Sequence, residues 1–319
     1  MNDPTNYHNR GDSTFAGESS TYGDFVGLDD LFTEQPDVVD GMTDIYEAWV
    51  DLGIDGFRID TAKHVNMEFW QQFAPAIREH AASIGNDDFF AFGEVYDADP
   101  AYLSQFSTTG RLDATLDFGF QDVGTGFAKG GATTRLRDFY AADDHYTDTD
   151  SNAYASPTFL GNHDMGRIGT FLRDSDAILE RDRLAHSLMY LTRGQPVVYY
   201  GDEQGFTGDG GDKDARQDMF ASQVDSYNDD EIIGGESGSM DRYGTDVPIY
   251  QAIAEVAKLR KRHPALADGA QIHRYSSSDA GILAFSRINR DDKIEYVVVA
   301  NNATDERSAT FATYSERLR

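Results

Sequence analysis

Cysteine is absent from this 319-residue chain, and basic residues are scarce. Without cysteine the chain forms no disulfide and has no thiolate chemistry. Its 27 lysine and arginine residues are outnumbered by 56 aspartate and glutamate residues, which gives a formal net charge of −29. Because such a surface repels phosphate backbones and anionic membranes, we expect neither a nucleic-acid partner nor a membrane partner.

Long apolar runs are also missing. None approaches the roughly 20 residues that a membrane-spanning helix needs. The opening "MNDPTNYHNRGDSTFAGESS" lacks the basic and apolar regions of a signal peptide. These residues therefore leave the localisation undecided.

The acidic excess has two interpretations, which are disorder and a surface kept soluble in high salt. Acidic residues are interleaved with regular apolar patterns instead of forming blocks, and this disfavours disorder. We favour a salt-adapted surface of the kind found in halophilic proteins.

Strands alternate with helical segments through most of the chain. Val38, Met42 and Trp49 lie at helical spacing, which predicts a helix with Trp49 in the core and Thr33 as a possible cap. Short apolar runs such as "FFAFGEV" and "GQPVVYYGDE" predict strands, and we expect the second to be buried. Strands alternating with helices imply βα units and a parallel sheet.

The pattern changes after Asp268. "GILAFSRINR" and "KIEYVVVANN" are strand-like runs that predict an antiparallel hairpin. We therefore predict an irregular segment at 1–32, an α/β domain at 33–268 and the start of a β domain at 269–319.

Charged residues lie within and after the strand in "DGFRID". Because side chains alternate along a strand, Arg58 and Asp60 share one face, and Phe57 and Ile59 share the other. A surface strand could turn its charged face to water. In a parallel α/β barrel, by contrast, the carboxyl ends of the strands converge on one mouth, where the active site lies.

Carboxylates follow three of the predicted strands, at Asp60, Glu94 and Asp164. Carboxylates at one mouth suit the hydrolysis of acetals, because a retaining glycosidase uses a carboxylate nucleophile and a carboxylic acid. Arg58 would favour the ionised form of Asp60, and the apolar surroundings of Glu94 would favour the proton-donating acid. Asp164 could stabilise the oxocarbenium-like charge, with His163 bonded to a sugar hydroxyl.

Three segments carry a specific resemblance. "GFRIDTAKH", "FGEV" and "FLGNHD", in this order, resemble the second, third and fourth signature regions of the α-amylase family, glycoside hydrolase family 13. The spacings also match, with 94 − 60 = 34 and 164 − 94 = 70 residues, and "GQPVVYYGDEQG" follows. The resemblance implies an α/β fold, a (β/α)8 TIM-barrel catalytic domain with strands 4–8 present, followed by a C-terminal antiparallel β domain.

The resemblance also implies roles for the matching residues. Asp60 is expected to be the nucleophile, Glu94 the general acid/base and Asp164 the transition-state stabiliser. Arg58 and His163 match positions around the sugar that is attacked.

Further substrate-binding residues are implied on both sides of that sugar. Lys63 and His64 match residues on the leaving-group side. Asp212 and Arg216, in "GDGGDKDARQDMF", match positions further toward the non-reducing end.

"FVGLDDLF" resembles the family's signature in the loop domain that protrudes from the barrel. By this match Asp30 and the backbone carbonyl of His64 would bind a structural calcium ion, for which oxygen ligands are suited. The alternative is that Asp30 is one more surface aspartate. No organic cofactor is expected.

The family's first signature, Asp-x-x-x-x-Asn-His at a strand end, is absent. The chain is therefore expected to begin inside the protruding loop domain, as a fragment of a longer protein. The family habit predicts that this parent is secreted.

The sequence thus predicts a retaining hydrolase that cleaves α-1,4-glucosidic bonds in α-glucans or maltooligosaccharides. The alternatives are an α-glucosidase or transglycosylase of the same family, or an inactive glucan-binding fragment. The oligomeric state stays open.

Overall fold

The structure, a computed structural model, describes residues 3–314. The described residues do not include 1–2 and 315–319. These are the outer ends of the first and third predicted segments. The chain folds into two compact units, which are considered separately below. Unit 1 comprises Met1–Leu116 and Asp143–Ser156, and unit 2 comprises Asp117–Ala142 and Pro157–Arg319.

Unit 1 is a parallel sheet covered by helices. Its strands lie in the order β1-β2-β3, with Gly56 opposite Phe90 and Ile59 opposite Gly93. Aromatic side chains of one helix, including stacked Phe69 and Phe73, fill the core against the sheet. The elements are α1 Ser19–Tyr22, α2 Pro36–Asp51, β1 Gly56–Ile59, α3 Met67–Ser83, β2 Phe90–Gly93, α4 Pro100–Thr108 and β3 Ala114–Thr115.

The start of α2 differs from the prediction. Gln35 takes the cap position and Pro36 the first helical position, where its fixed φ and missing N–H cost nothing. Thr33 is not the cap, because its hydroxyl donates to Oδ1 of Asn66 at 2.6 Å.

The prediction that Trp49 belongs to the core is wrong. Its side chain is 50% exposed, whereas the neighbouring Val50 is buried. The core-facing stripe of α2 passes through Val39, Met42 and Tyr46 to Val50, at intervals of three to four residues. Trp49 lies one residue, about 100° of rotation, from Val50.

Unit 2 contains a short parallel sheet and a separate antiparallel sheet. Strand β4 pairs with β5, and Asp117 forms a parallel bridge with Thr158. The antiparallel sheet has the order β6-β7-β8, and β7 is buried along its whole length. The elements are α5 Phe118–Ala128, α6 Thr134–Ala141, β4 Pro157–Thr158, α7 Ile168–Phe171, α8 Ile178–Leu191, β5 Gln195–Pro196, α9 Asp225–Asn228, α10 Pro248–Arg262, β6 Ala270–Ser276, β7 Ile282–Ile288 and β8 Glu295–Asn301.

The alternation of helices with parallel strands and the terminal hairpin are confirmed. Strand β6 was not predicted. The expectation of a buried strand in "GQPVVYYGDE" is wrong, because Val197 and Tyr200 are exposed. The reason is that β5 is only two residues long and pairs, within residues 3–314, with β4 alone.

The predicted domain boundaries, after residues 32 and 268, stay predictions. Within the described part of the chain, no helix combines the length and the apolar character needed to cross a membrane.

Two aromatic residues of unit 1 provide a test of this packing. Replacing buried Phe73 by alanine leaves a cavity among aromatic neighbours, and we expect the free energy of unfolding to fall by about 3–5 kcal/mol. The matched change at exposed Trp49 should cost less than about 1 kcal/mol. Urea unfolding followed by circular dichroism measures both, and equal losses would contradict the assignment.

Candidate active site

The parallel register of β1 and β2 places two predicted catalytic carboxylates side by side. Asp60 and Glu94 each follow directly after the strand that carries them. The ladder continues past the strands, because Glu94 N donates to Ile59 O at 2.7 Å. Gly93 allows this close approach, since a Cβ there would lie 2.9 Å from the Cβ of Ala62.

Arg58 binds both carboxylates. Its Nη1 contacts Asp60 Oδ1, and its Nη2 lies 3.3 Å from Glu94 Oε1. The Asp60 side chain is 64% exposed and accessible to a ligand, whereas the Glu94 side chain is only 9% exposed. The prediction that Arg58 and Asp60 share a face is therefore confirmed, and Arg58 also reaches the next strand.

A strained turn after β1 completes the environment of Glu94. Thr61 has a left-handed backbone (φ 49°), which is rare for a β-branched residue and is often found at functional sites. In this conformation Thr61 N donates to Glu94 Oε2 at 3.0 Å. The next amide, Ala62 N, donates to the Glu94 carbonyl at 2.9 Å. The backbone thus fixes the position of the Glu94 side chain.

Lys63 and His64 follow this turn in a short 3-10 helix. Lys63 Nζ donates to Tyr96 O at 2.8 Å and lies 5.8 Å from the centre of the exposed Tyr96 ring. The His64 ring bonds Ser20 O at 2.7 Å, which connects the turn to α1.

Asp30, the predicted calcium ligand, is partly buried in unit 1. Its Oδ2 lies 2.5 Å from Nδ1 of His8, whose Nε2 contacts Glu34 at 2.9 Å. Burial raises the pKa of Asp30, although His8 opposes the shift. The residues thus offer a carboxylate of the kind that calcium binds, but one of its oxygens already contacts a histidine.

The third predicted carboxylate lies in a tight turn of unit 2. Asn162 Oδ1 accepts hydrogen bonds from the backbone N–H of Asp164 and Met165, at 2.9 and 3.0 Å. Asn162 and Gly166 also exchange backbone hydrogen bonds. Gly161 is required here, because a Cβ would lie 2.4 Å from Gly166 O.

Four predicted site residues meet at this turn. Asp164 Oδ2 lies 3.1 Å from Nε2 of His163, and Arg216 Nη2 lies 3.3 Å from Asp164 Oδ1. The same Arg216 nitrogen binds Asp212 Oδ1 at 2.8 Å. Arg216 therefore links the loop after β5 to the predicted stabiliser.

Sequence reasoning missed Arg167, which is fully buried three residues after Asp164. Its Nε donates to Gln217 Oε1 at 2.7 Å and its Nη1 to Asp202 Oδ1 at 2.8 Å. Its guanidinium also lies 4.4 Å from the centre of the Tyr199 ring. Arg167 thereby holds Gln217, the residue next to Arg216. The signal in the sequence was an arginine directly after "NHDMG".

Two buried ionisable groups lie near Arg167. Burial raises the pKa of Asp202 to about 6, although the Arg167 charge opposes the shift. Burial disfavours the charged form of His186, but the Asp182 carboxylate at 2.7 Å raises its pKa overall.

The structure therefore gathers eight of the ten predicted site residues into two groups, each within its own unit. Asp60, Glu94, Arg58 and Lys63 lie together around the ends of β1 and β2 in unit 1. The predicted residues of unit 2 are His163, Asp164, Asp212 and Arg216.

Comparison with known proteins identifies related chains. Residues 1–269 match the family model for the alpha-amylase catalytic domain. The chain is 57% identical to an alpha-amylase of Streptomyces lividans over 99% of its own length. It is 30% identical to a cyclomaltodextrin glucanotransferase of Klebsiella oxytoca over 86% of its length. It spans only 35% of the first relative and 43% of the second.

Among solved structures, this chain is similar to the alpha-amylase of Geobacillus thermoleovorans in complex with acarbose. The match covers 95% of this chain and 62% of the Geobacillus chain. The two share 26% sequence identity and a TM-score of 0.77. Together with the parallel strands and the terminal antiparallel sheet, this likeness confirms the predicted fold class.

The raised pKa of Asp202 predicts that the stability of the fold depends on pH. Because its pKa is about 6 in the folded chain and about 3.9 in an unfolded one, the folded state binds more protons between these values. The stability that Asp202 contributes should therefore fall as the pH rises from 4 to 6, by at most about 3 kcal/mol. In urea unfolding across this range, the free energy of unfolding of wild type should fall relative to that of Asp202→Asn as the pH rises. A constant difference would contradict the prediction.

Proposed function

Because the chain belongs to the alpha-amylase catalytic-domain family, we propose that it is a retaining glycoside hydrolase of α-1,4-linked glucans. The proposal rests on the contacts of the Arg58 guanidinium with two carboxylates. It contacts both Asp60 and Glu94, at the ends of adjacent parallel strands. Retaining and inverting glycosidases both use a pair of carboxylates, and the family resemblance supports the retaining assignment.

In the first step of the proposed reaction, Asp60 attacks the anomeric carbon of the sugar. The glycosidic C–O bond breaks, and Glu94 in its acid form gives its proton to the leaving oxygen. Arg58 orients Asp60 for this attack through the contact between its guanidinium and Asp60 Oδ1. The product is a glycosyl ester on Asp60, with the shortened glucan released.

In the second step a water molecule replaces Asp60. Glu94, now a carboxylate, removes a proton from this water as its oxygen bonds to the anomeric carbon, and the bond to Asp60 breaks. Two displacements at the same carbon restore the α-configuration. Glu94 suits both roles because backbone donors from Thr61 and Ala62 hold its position.

We further propose, from the family resemblance, that Asp164 stabilises the oxocarbenium-like charge. His163 and Arg216 are then substrate-binding residues that also orient Asp164 through their contacts with its two oxygens. Asp212 is assigned to the same side of the substrate, with its position fixed by Arg216.

On the leaving-group side, we assign substrate binding to Lys63 and His64. The exposed Tyr96 ring beside Lys63 supports this assignment, because aromatic rings and their polar neighbours suit the faces and hydroxyls of sugars. The family and its alpha-amylase relative support α-glucans and maltooligosaccharides as the proposed substrate class.

Three further features belong to the proposal. We assign a structural calcium ion to Asp30 and the carbonyl of His64, supported by the partly buried carboxylate and the family resemblance. Bound calcium would supply only structural support. The net charge of −29 supports a salt-adapted surface. The family resemblance alone supports secretion of the parent protein.

A second candidate is transglycosylation, favoured by the similarity to a cyclomaltodextrin glucanotransferase. The two reactions share the glycosyl ester and differ in whether water or a sugar hydroxyl resolves it. Incubation with maltotriose separates them, because we expect a hydrolase to give shorter products only. Products longer than maltotriose would favour transfer.

Glu94→Gln is the sharpest test of the proposed general acid/base. The amide cannot donate the proton, so release of reducing ends from soluble starch should fall by roughly 10²- to 10⁴-fold. The matched control is Glu79→Gln, an exposed glutamate on α3, which should leave the rate unchanged. The assays contain calcium and molar salt, because the proposal includes a structural calcium ion and a salt-adapted surface. Equal rates in all three proteins would refute the role of Glu94.

A further inference from the structure

The polar loop after β5 folds back on itself in unit 2. Phe206 forms an antiparallel bridge with Ile232, and Ile233 N donates to Gly205 O at 2.8 Å. The Thr207 hydroxyl donates to the Glu231 carbonyl at 2.7 Å. Two loop limbs, residues 205–209 and 229–233, are thereby held side by side.

Three carboxylates cluster on these limbs. Asp209, Asp229 and Asp230 each offer one oxygen, and these oxygens all lie within 4.8 Å of one another. Among residues 3–314, Arg173 is the cation that pairs with the cluster, with its Nη2 3.8 Å from Asp209 Oδ1. One guanidinium at this distance leaves three carboxylates with a net negative charge, and their mutual repulsion is a cost that a bound cation would relieve.

Asp230 differs from an ordinary surface aspartate. The residue is only 5% exposed, and among residues 3–314 its Oδ1 is buried without a hydrogen-bond partner. Its other oxygen, Oδ2, accepts from Gln217 Nε2 at 2.8 Å. Gln217 is itself oriented by Arg167, so Asp230 is fixed in place. A buried carboxylate oxygen left unsatisfied is costly and calls for a ligand.

We propose that Asp209, Asp229 and Asp230 bind a divalent cation, with calcium as the preferred ion. Calcium favours carboxylate oxygens, accepts irregular geometry and completes its coordination with water. The exposure of Asp209 and Asp229 leaves room for that water, while Asp230 supplies a ligand from inside the loop.

The cation would join the two loop limbs. It would satisfy the buried oxygen of Asp230 and neutralise the carboxylates. Because Asp230 also binds Gln217, the neighbour of Arg216, the ion would stabilise the segment that reaches Asp164. This site is separate from the calcium ligand proposed at Asp30, which belongs to unit 1.

Calcium binding to the full chain tests the proposal. The protein is first stripped with a chelator, and calcium chloride is titrated calorimetrically. All variants carry Asp30→Asn, which removes the other proposed site. Adding Asp209→Asn and Asp229→Asn should weaken calcium binding at least roughly tenfold, because affinity follows the number of charged ligands. Adding Asp225→Asn and Asp246→Asn instead, both exposed and outside the cluster, changes the net charge equally and should leave binding intact.

Thermal unfolding gives an independent readout. Calcium should raise the Tm of the control variant and leave the Tm of the cluster variant unchanged, because a ligand stabilises only the state that binds it. Both replaced residues of the cluster are exposed, so the variant should fold, and circular dichroism checks this. Equal calcium affinities and equal Tm shifts in the two variants would overturn the proposal. So would the absence of calcium binding in the control.

Discussion

The contact of one guanidinium with two carboxylates is the constraint on which the candidate site depends. Arg58 binds Asp60, directly after its own strand, and Glu94, directly after the next strand, so the pair requires the parallel register of β1 and β2. A shift of one residue in that register would turn Glu94 to the opposite face of the sheet. The close approach at Gly93 and the left-handed turn at Thr61 both serve this arrangement. The core of unit 1 therefore supports the chemistry by keeping two strands aligned.

Unit 2 positions its carboxylate by different means. Asp164 lies in a turn closed by the Asn162 side chain, and the loop after β5 adds Arg216 from a distant part of the sequence. That loop has little regular structure, so buried polar contacts must hold it. Arg167 provides them, since it binds Gln217, Asp202 and the carbonyl of Tyr200 from a fully buried position. The proposed cation at Asp230 would extend the same network.

Much of the fold and the site could be predicted because each depends on local pattern. Alternation along a strand placed Arg58 beside Asp60, and helical spacing located α2. The predictions that were wrong concerned features that depend on partners distant in sequence. The exposure of Val197 followed from a strand with a single neighbour among residues 3–314, and the exposure of Trp49 depends on which face of α2 the rest of unit 1 covers. Arg167 was missed because its partners lie 33 to 50 residues away in sequence. The roles of the site residues are predictions that rest on the family resemblance.

The most direct test of the account is to trap the covalent intermediate. A ring-fluorinated α-maltosyl fluoride combines a good leaving group with slow resolution of the glycosyl ester, so the intermediate accumulates. Mass spectrometry of proteolytic peptides then locates the label. We predict one maltosyl group per chain, attached to Asp60. A label on any other residue, or no label at all, would contradict the proposed mechanism.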